Sequence, residues 1–245
     1  MRKAADEGHR VVLVVATRGE AGEVPDGFLA PGEQLWERRV AETEASCAIL
    51  GAHRIEFLGY VDSGMMGTPA NDAPNSFWTA PVEEAAEKLA AILREENADV
   101  LTCYDDNGVY GHPDHIQVHR VGVRAGELAG TPRVYQSTVN IDHLRDGMRE
   151  LFAHADANNL PRPELPDFQE DVFGKPLSDI TAAVDVSQYL EHKRRAMQAH
   201  ASQISDESFF LAMPPFAFSL AFGTEWFIRA GEGPGITETD LMTGL

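Results

Sequence analysis

The sequence has few cysteines and no long apolar runs. Cys47 and Cys103 are its only cysteines, and each lies in an apolar periodic segment, so we expect two buried free thiols in a reducing compartment. No stretch reaches the roughly 18 to 20 apolar residues of a membrane span, and the first residues lack the hydrophobic segment of a secretory signal. These absences predict a cytoplasmic protein with no membrane partner.

Positive charge is also scarce. The chain has 20 Lys and Arg residues against 39 Asp and Glu residues, a formal net charge of −19. Such a surface repels phosphate backbones, so a nucleic acid partner is not expected. With 245 residues, of which 43% are hydrophobic, the chain can bury one core with a small appendage. The composition leaves a homo-oligomer open.

Apolar periodicity predicts alternating strands and helices. RVVLVVA at 10–16 is β-branched and nearly continuous, which is typical of a strand covered on both faces. Further strands are predicted at 54–58, 98–104 and 133–139, and helices at 33–50, at 82–93 and from Pro113 onward. This alternation predicts an α/β fold, a Rossmann-like and mostly parallel sheet with helices on both faces. Ligands bind such sheets at the carboxyl ends of the strands.

The pattern is looser after residue 140. It predicts a helix around 144–152, a proline-rich connection at 155–178, a strand near 180–186, a helix at 187–203 and an apolar capping element at 209–222. We therefore predict three parts. Residues 1–140 form the core, 141–230 form a smaller α+β extension packed on it, and 231–245 form a flexible tail.

The first ten residues, MRKAADEGHR, are typical of the second half of a helix. Helix-favouring residues lead to Gly8, which suits a C-terminal cap, and a strand follows at once. No N-cap residue precedes them. The sequence therefore starts in the middle of a structural element.

A polar cluster, YDDNGVYGHPDHIQVHR, occupies 104–120. Pro113 suits the first helical position, which places His112 at the cap and His115 in the first turn. The positive end of the helix disfavours imidazolium, so His115 is expected to be neutral and able to bind a metal. Tyr110 offers a donor for a developing oxyanion. The alternative is that these residues only cap a helix and bond one another, and His119 is expected to be an interior histidine with a hydrogen-bond partner.

NGVYGHPDH at 107–115 resembles the second signature of the LmbE-like or PIG-L family of metal-dependent de-N-acetylases, which includes the mycothiol-pathway deacetylase and the mycothiol conjugate amidase. The segments at 17–23, 58–68 and 199–203 resemble other family segments in the same order. The resemblance implies that His115 binds Zn²⁺, or another divalent metal such as Fe²⁺. It implies that His112 donates to the amide carbonyl or the leaving amine, that Asp114 orients His112, and that Tyr110 binds the oxyanion.

The same resemblance implies a sugar pocket lined by Glu23, Arg39, Asp62 and Met65. Each has a plainer interpretation. Glu23 is then a solvated loop acid, Met65 a packing residue, and Arg39 and Asp62 a surface ion pair.

The sequence departs from the family at one important place. Relatives carry A-H-P-D-D-E at the end of a central first strand, and this motif supplies two metal ligands and the general base. It is absent here. Loss of that strand leaves two neighbouring strands without a partner, and one histidine is too few ligands for a catalytic zinc site. Either Met1 is an internal residue of a longer reading frame, or the first strand has been lost.

The expected function is metal-dependent hydrolysis of an N-acyl bond, an acetamide, on a small-molecule amino sugar or sugar conjugate. Two alternatives stay open. One is a catalytically impaired remnant that binds sugars or partner subunits. The other is a hydrolase with a rearranged metal site in which His115 and His119, four residues apart on a helix, form the ligand pair.

Overall fold

The computed structural model describes residues 1–159 and 173–245 and has an α/β fold, as predicted. The strands are β1 (Val12–Val15), β2 (Arg54–Phe57), β3 (Val100–Tyr104), β4 (Arg133–Thr138), β5 (Ala182–Asp185) and β6 (Thr224–Arg229). The helices are α1 (Arg2–Asp6), α2 (Leu35–Leu50), α3 (Val82–Glu95), α4 (Gly108–Gly111), α5 (Pro113–Ala129), α6 (Ile141–Ala157), α7 (Leu190–Gln198), α8 (Phe209–Ala212) and α9 (Pro215–Phe222).

The elements before residue 140 agree with the sequence pattern. α2 ends at Gly51, which has φ 74° and caps the helix in the left-handed conformation, as predicted. After residue 140 the agreement is weaker. The helix predicted for 187–203 is a 3₁₀ turn at Ser187–Tyr189 followed by the shorter α7, and β6 was not predicted. Most of the proline-rich connection, 160–172, lies outside the described residues.

The strands form two separate sheets in the described part of the chain. β1 pairs with β2 in parallel, and the second sheet has the order β3-β4-β6-β5. β3 and β4 are parallel, whereas β6 runs antiparallel to both of its neighbours. The second sheet is therefore mixed, because β6 runs opposite to the other three strands.

A cavity of about 1390 Å³ separates the two sheets and extends beneath α6 to α9. Residues of β1 and of β3 both line it. Val14 and Leu101, one from each strand, pack against the same apolar core, which is built mainly from α3 and α5. All four residues of β1 are only partly buried, although the sequence predicted a strand covered on both faces. We call this space the β1–β3 gap.

The C-terminal residues contact the core, unlike the flexible tail that the sequence predicted. Glu238 forms a bridge with Ala182, and Leu241 is buried with Phe227. Both cysteines are buried free thiols, as expected. Within the described residues, no helix combines the length and apolarity needed to cross a membrane.

Candidate functional site

Three aromatic side chains converge directly after β3. The ring centroids of Tyr110 and His115 are 5.0 Å apart, those of His112 and His115 5.2 Å, and those of Tyr110 and His112 6.1 Å. Tyr110 belongs to α4, His112 caps α5, and His115 lies in the first turn of α5. The residues that the sequence singled out for chemistry therefore lie together at the carboxyl end of a strand, where ligands bind in α/β folds.

The backbone that carries Tyr110 is held by the buried side chain of Asp105. Its Oδ1 accepts the N–H groups of Asn107 (3.1 Å) and Val109 (2.8 Å), and its Oδ2 accepts the hydroxyl of Thr138 at 2.5 Å. Val109 has φ 67°, which is unfavourable for a β-branched residue and costs about 1–3 kcal/mol. The carbonyl of Val109 also accepts the N–H of Gly174 at 2.8 Å, so the unusual conformation is fixed at both backbone groups.

His112 is both a helix cap and a candidate proton donor. Its Nδ1 accepts the backbone N–H of Asp114 at 3.1 Å, which satisfies one of the free N–H groups at the start of α5. A neutral imidazole carries its proton on the nitrogen that is not accepting. The cap therefore leaves the N–H of the neutral ring at Nε2, where it can donate a hydrogen bond to a substrate oxygen.

His115 lies deeper in the site than His112. Its ring stacks on Tyr104, with centroids 4.1 Å apart and planes inclined by 11°, and its Nδ1 lies 3.3 Å from the carbonyl of Gly108. Burial, and to a lesser degree the nearby His112, lowers the pKa of His115 to about 4. The ring is therefore neutral at pH 7, as metal binding requires. The sequence assigned this neutrality to the end of the helix, and the structure adds burial as the main cause.

Asp114 joins the loop after β2 to this site. Its Oδ2 accepts the N–H of Ser63 at 3.2 Å, and burial raises the pKa of Asp114. The contact with His112 comes from the backbone N–H of Asp114, not from its carboxylate. The orienting role of the Asp114 carboxylate stays a prediction; its main-chain N–H bonds His112, and its side chain bonds the loop that carries Asp62.

The loops after β1 and β2 are tied to each other. Glu20 accepts the N–H groups of Arg18 (3.2 Å) and Asp62 (3.1 Å), and Asp62 accepts the N–H of Gly64 at 2.8 Å. Asp62 is buried, whereas Met65 is exposed. These contacts hold the loop after β2 against the site and leave Met65 available at its rim.

Arg39 binds the backbone of the loop after β1. Its buried guanidinium donates to the carbonyls of Gly19 (2.7 Å) and Glu23 (3.4 Å). A Cβ on Gly19 or Gly22 would lie 2.3 or 2.2 Å from this guanidinium, so a side chain at either position would displace the Arg39 head group. Arg39 thus shapes the loop that presents the exposed Glu23. The ion pairs of the described residues do not join Arg39 to Asp62, so the surface-pair alternative does not hold.

Some supporting residues were not predicted from the sequence. Asp105 and Glu20 accept backbone N–H groups of site loops through their carboxylates, and the backbone N–H of Ser63 donates to the carboxylate of Asp114. A signal existed for Asp105, because an acid directly after a strand often caps the following turn. His119 follows its prediction, since its Nδ1 lies 3.1 Å from the carbonyl of Tyr104.

The described residues do not complete a metal centre. A catalytic zinc site needs three protein ligands. Here the site offers the imidazole of His115, and the described part of the chain holds no group of three or more His, Cys, Asp or Glu side chains that could bind a metal. His115 and His119 contact different carbonyls through Nδ1, and no described side chain joins them as a third ligand.

Comparison with known proteins agrees with the geometry. The 1D-myo-inositol 2-acetamido-2-deoxy-alpha-D-glucopyranoside deacetylase of Thermobifida fusca is 41% identical over 99% of this chain and 92% of its own length. The protein of the same name from Acidothermus cellulolyticus is 40% identical over 98% of this chain and 87% of its length.

A solved structure shares the fold. The N,N'-diacetylchitobiose deacetylase from Pyrococcus horikoshii aligns with a TM-score of 0.57 at 21% identity, over 93% of this chain and 75% of that one. A family model described as GlcNAc-PI de-N-acetylase matches residues 1–126. The chain therefore belongs to the PIG-L family.

Proposed function

We propose that this protein acts in hydrolysis of an N-acyl bond on a small amino-sugar conjugate, with the acetamide of N-acetylglucosaminyl inositol as the first substrate to test. The convergence of Tyr110, His112 and His115 at the carboxyl end of β3 is the observation that carries this proposal. The names of the two inositol deacetylases that resemble the chain support the choice of substrate.

The side chains of the site suit the two charge changes of amide hydrolysis. Attack on the carbonyl carbon creates an oxyanion, which hydrogen-bond donors stabilise, and the departing nitrogen needs a proton. The Tyr110 phenol remains protonated because burial raises its pKa. His112 presents Nε2–H to the same volume, so it can donate a hydrogen bond to the oxyanion. To protonate the departing amine, the ring must first gain a second proton at Nδ1, which the attacking water supplies.

Sugar recognition is assigned to the loops around these donors. Asp62 is positioned through Glu20, while Glu23 and Met65 remain exposed on neighbouring loops. Carboxylates accept the hydroxyl groups of a sugar, and a methionine side chain packs on its apolar face. Arg39 acts on this surface through the backbone of the loop after β1.

Hydrolysis by this family requires a metal and a base that the described residues do not supply. The described residues contribute the oxyanion donors Tyr110 and His112 and the imidazole of His115, which would hold a metal.

This shortfall favours a second function, that of a remnant that binds an amino sugar without cleaving it. One experiment separates the two. The protein is incubated with N-acetylglucosaminyl inositol and Zn²⁺, and both the acetate released and the free amine formed are quantified, with substrate binding measured by calorimetry. Equal amounts of the two products support the hydrolase. Binding without either product supports the remnant, and neither binding nor product contradicts both.

A further inference from the structure

A short segment from late in the chain is bonded to the loop that carries Tyr110. The backbone N–H of Gly174 donates to the carbonyl of Val109 at 2.8 Å, and the ammonium of Lys175 lies 2.5 Å from Oδ1 of Asp106. Asp106 and Val109 both lie between the end of β3 and Tyr110. Gly174 and Lys175, which we call the clamp, therefore contact this loop at two points, one on its backbone and one on a side chain.

The clamp is itself fixed to the second sheet and to a helix. The N–H of Lys175 donates to the carbonyl of Val139 at 2.8 Å, and the carbonyl of Lys175 accepts the N–H of Ile141 at 3.0 Å. Val139 directly follows β4, and Ile141 begins α6. Because the clamp is anchored between these two elements, it can hold the loop in place rather than move with it.

Gly174 is the residue that this close approach requires. It has φ 67°, a conformation that favours glycine, and a Cβ there would lie 2.3 Å from the carbonyl oxygen of Val139. That oxygen belongs to the backbone, which cannot turn aside as the end of a long side chain can. A substitution at Gly174 should therefore move the clamp and withdraw its N–H from Val109.

Tyr110 depends on its backbone for its position. Its side chain is 45% exposed, and its ring meets the rings of His112 and His115 at their edges. Such contacts orient an exposed ring only weakly. Val109, directly before it, has φ 67°, which a β-branched residue adopts only where its surroundings impose it. Loss of a bond to the loop would let Val109 relax and would carry the Tyr110 hydroxyl away from His115.

We propose that Lys175 and Gly174 are positioning residues for amide hydrolysis, which act through Asp106 and Val109 to keep the Tyr110 hydroxyl where the oxyanion forms. Their effect on turnover rests on the proposed function, whereas their hold on the loop does not. The side chains of Lys175 and Asp106 are 21% and 64% exposed, so their ion pair adds little to the stability of the whole fold. Its effect is local, because it acts on a loop with an unfavourable backbone conformation.

Backbone amide exchange tests the hold on the loop. Lys175→Met removes the charge and keeps the length of the side chain, whereas Lys175→Arg keeps the charge. In Lys175→Met we expect the amides of Gly174 and of residues 107–109 to exchange about two- to fivefold faster, which is the effect of one partly exposed ion pair. Lys175→Arg should match the parent. Amides of Val121–Ala125, inside α5, are the internal control and should not change.

Three further variants show whether the effect belongs to the pair. Exchanging the two charges in Asp106→Lys/Lys175→Asp should restore most of the parent protection. Lys88→Met is the matched control, because Lys88 forms an exposed ion pair with Glu84 on α3, outside this loop. Gly174→Ala should accelerate exchange at 107–109 about tenfold or more, since it removes the backbone bond. If Gly174→Ala does not fold, the lysine variants still decide the outcome.

Steady-state release of acetate from N-acetylglucosaminyl inositol with Zn²⁺ measures the consequence for chemistry. Lys175→Met should lower kcat about two- to fivefold and leave KM within twofold of the parent, because Tyr110 acts on the oxyanion rather than on the bound sugar. Lys175→Arg should have the parent kcat. A purely structural role would instead lower the urea midpoint of unfolding and leave kcat per folded molecule unchanged.

Three outcomes overturn the proposal. Parent-like exchange at 107–109 in Lys175→Met would show that the ion pair does not hold the loop. Equal acceleration in Lys175→Met and Lys175→Arg would show that the charge is not the cause. Faster exchange with an unchanged kcat, in a parent that releases acetate, would show that the hold on the loop does not position Tyr110. A parent that binds the sugar but releases no acetate contradicts the proposed function alone, and the exchange rates then decide whether the clamp holds the loop.

Discussion

Single residues at this site are held more tightly than their positions in loops suggest. Val109 keeps an unfavourable φ of 67° because its N–H and its carbonyl are both bonded, to Asp105 and Gly174. Gly108 is required beside it, since a Cβ there would lie 2.6 Å from the Cβ of His115. The sequence predicted which side chains meet here. It did not predict Gly174 as a partner, because Gly174 is distant in sequence, whereas Asp105 directly follows β3 and gave a local signal.

Two replacements of Asp105 distinguish the effect of its hydrogen bonds from the effect of its negative charge. Asp105→Asn keeps an Oδ1 acceptor for Asn107 and Val109, and the Thr138 hydroxyl can rotate to accept from the new amide, so we expect turnover within about threefold of the parent. Asp105→Ala removes both acceptors, and misplacement of Tyr110 should lower kcat by about 10².

The kcat of both variants is measured by steady-state kinetics, and the exchange rates of the backbone amides at 107–110 are measured beside it. Faster exchange in this segment is expected for the alanine variant only. Equal losses of kcat in both variants would show that the charge of Asp105, rather than its hydrogen bonds, is what the site needs.

Tyr110 is expected to act through its hydroxyl. Tyr110→Phe should lower kcat by about 10²-fold or more, the usual effect of losing an oxyanion donor, with little change in KM. Tyr104→Phe is the matched control, because it keeps the ring that stacks on His115. A Tyr110→Phe enzyme with the parent kcat would remove Tyr110 from the mechanism.

At the scale of elements, periodicity predicted the first half of the fold well and the second half poorly. Strands such as β1 and helices such as α3 have strong apolar patterns and local caps. β6 is different, since its residues pair with β4 and β5 from far along the sequence. Pairing between distant segments leaves no local signal, which is also why Leu241 was not expected in the core.

An ion-pair cluster joins the starts of β1 and β2 to the end of α3 and should make stability depend on acid pH. Hydrogen bonds from Arg10 and Arg54 lower the pKa of Glu96 from 4.5 to about 2. A lowered carboxyl pKa contributes stability that is complete above pH 4.5 and is lost as the pH falls toward 2.

Urea unfolding at pH 5 and pH 3 tests the role of Glu96. The free energy of unfolding should fall less between these pH values in Glu96→Gln than in the parent. Exposed Glu44→Gln is the control and should follow the parent. An unchanged fall in Glu96→Gln would mean that other carboxylates cause the acid sensitivity.

Helix α2 and the turn after α7 are linked through a buried carboxylate. Ser202 donates its N–H (2.8 Å) and its hydroxyl (2.7 Å) to the two oxygens of Glu42. Ser202→Ala should lower the free energy of unfolding by about 1.5–3 kcal/mol, because a buried charged acceptor loses a donor.

The free energy of unfolding of Ser202→Ala is measured in urea. Ser205→Ala, at an exposed position, is the control. The control should change stability by less than about 0.5 kcal/mol. A loss no larger in Ser202→Ala than in the control would show that the Glu42 contact contributes nothing measurable.

At the scale of the whole molecule, two sheets share one apolar core, and the candidate site lies at the strand ends. The α/β class and the position of the site at the strand ends followed from the sequence, because both depend on the alternation of strands and helices. The division into two sheets could not be predicted from periodicity, since no local pattern marks where one sheet ends and another begins.

Acetate release by paired histidine variants tests most directly whether the chemistry occurs at residues 110–115. The assay uses N-acetylglucosaminyl inositol and Zn²⁺. His112→Ala should reduce turnover by orders of magnitude with zinc content unchanged, while His119→Ala should stay within a few-fold of the parent. A His112→Ala enzyme as fast as the parent, or a His119→Ala enzyme as slow as His112→Ala, would contradict the account.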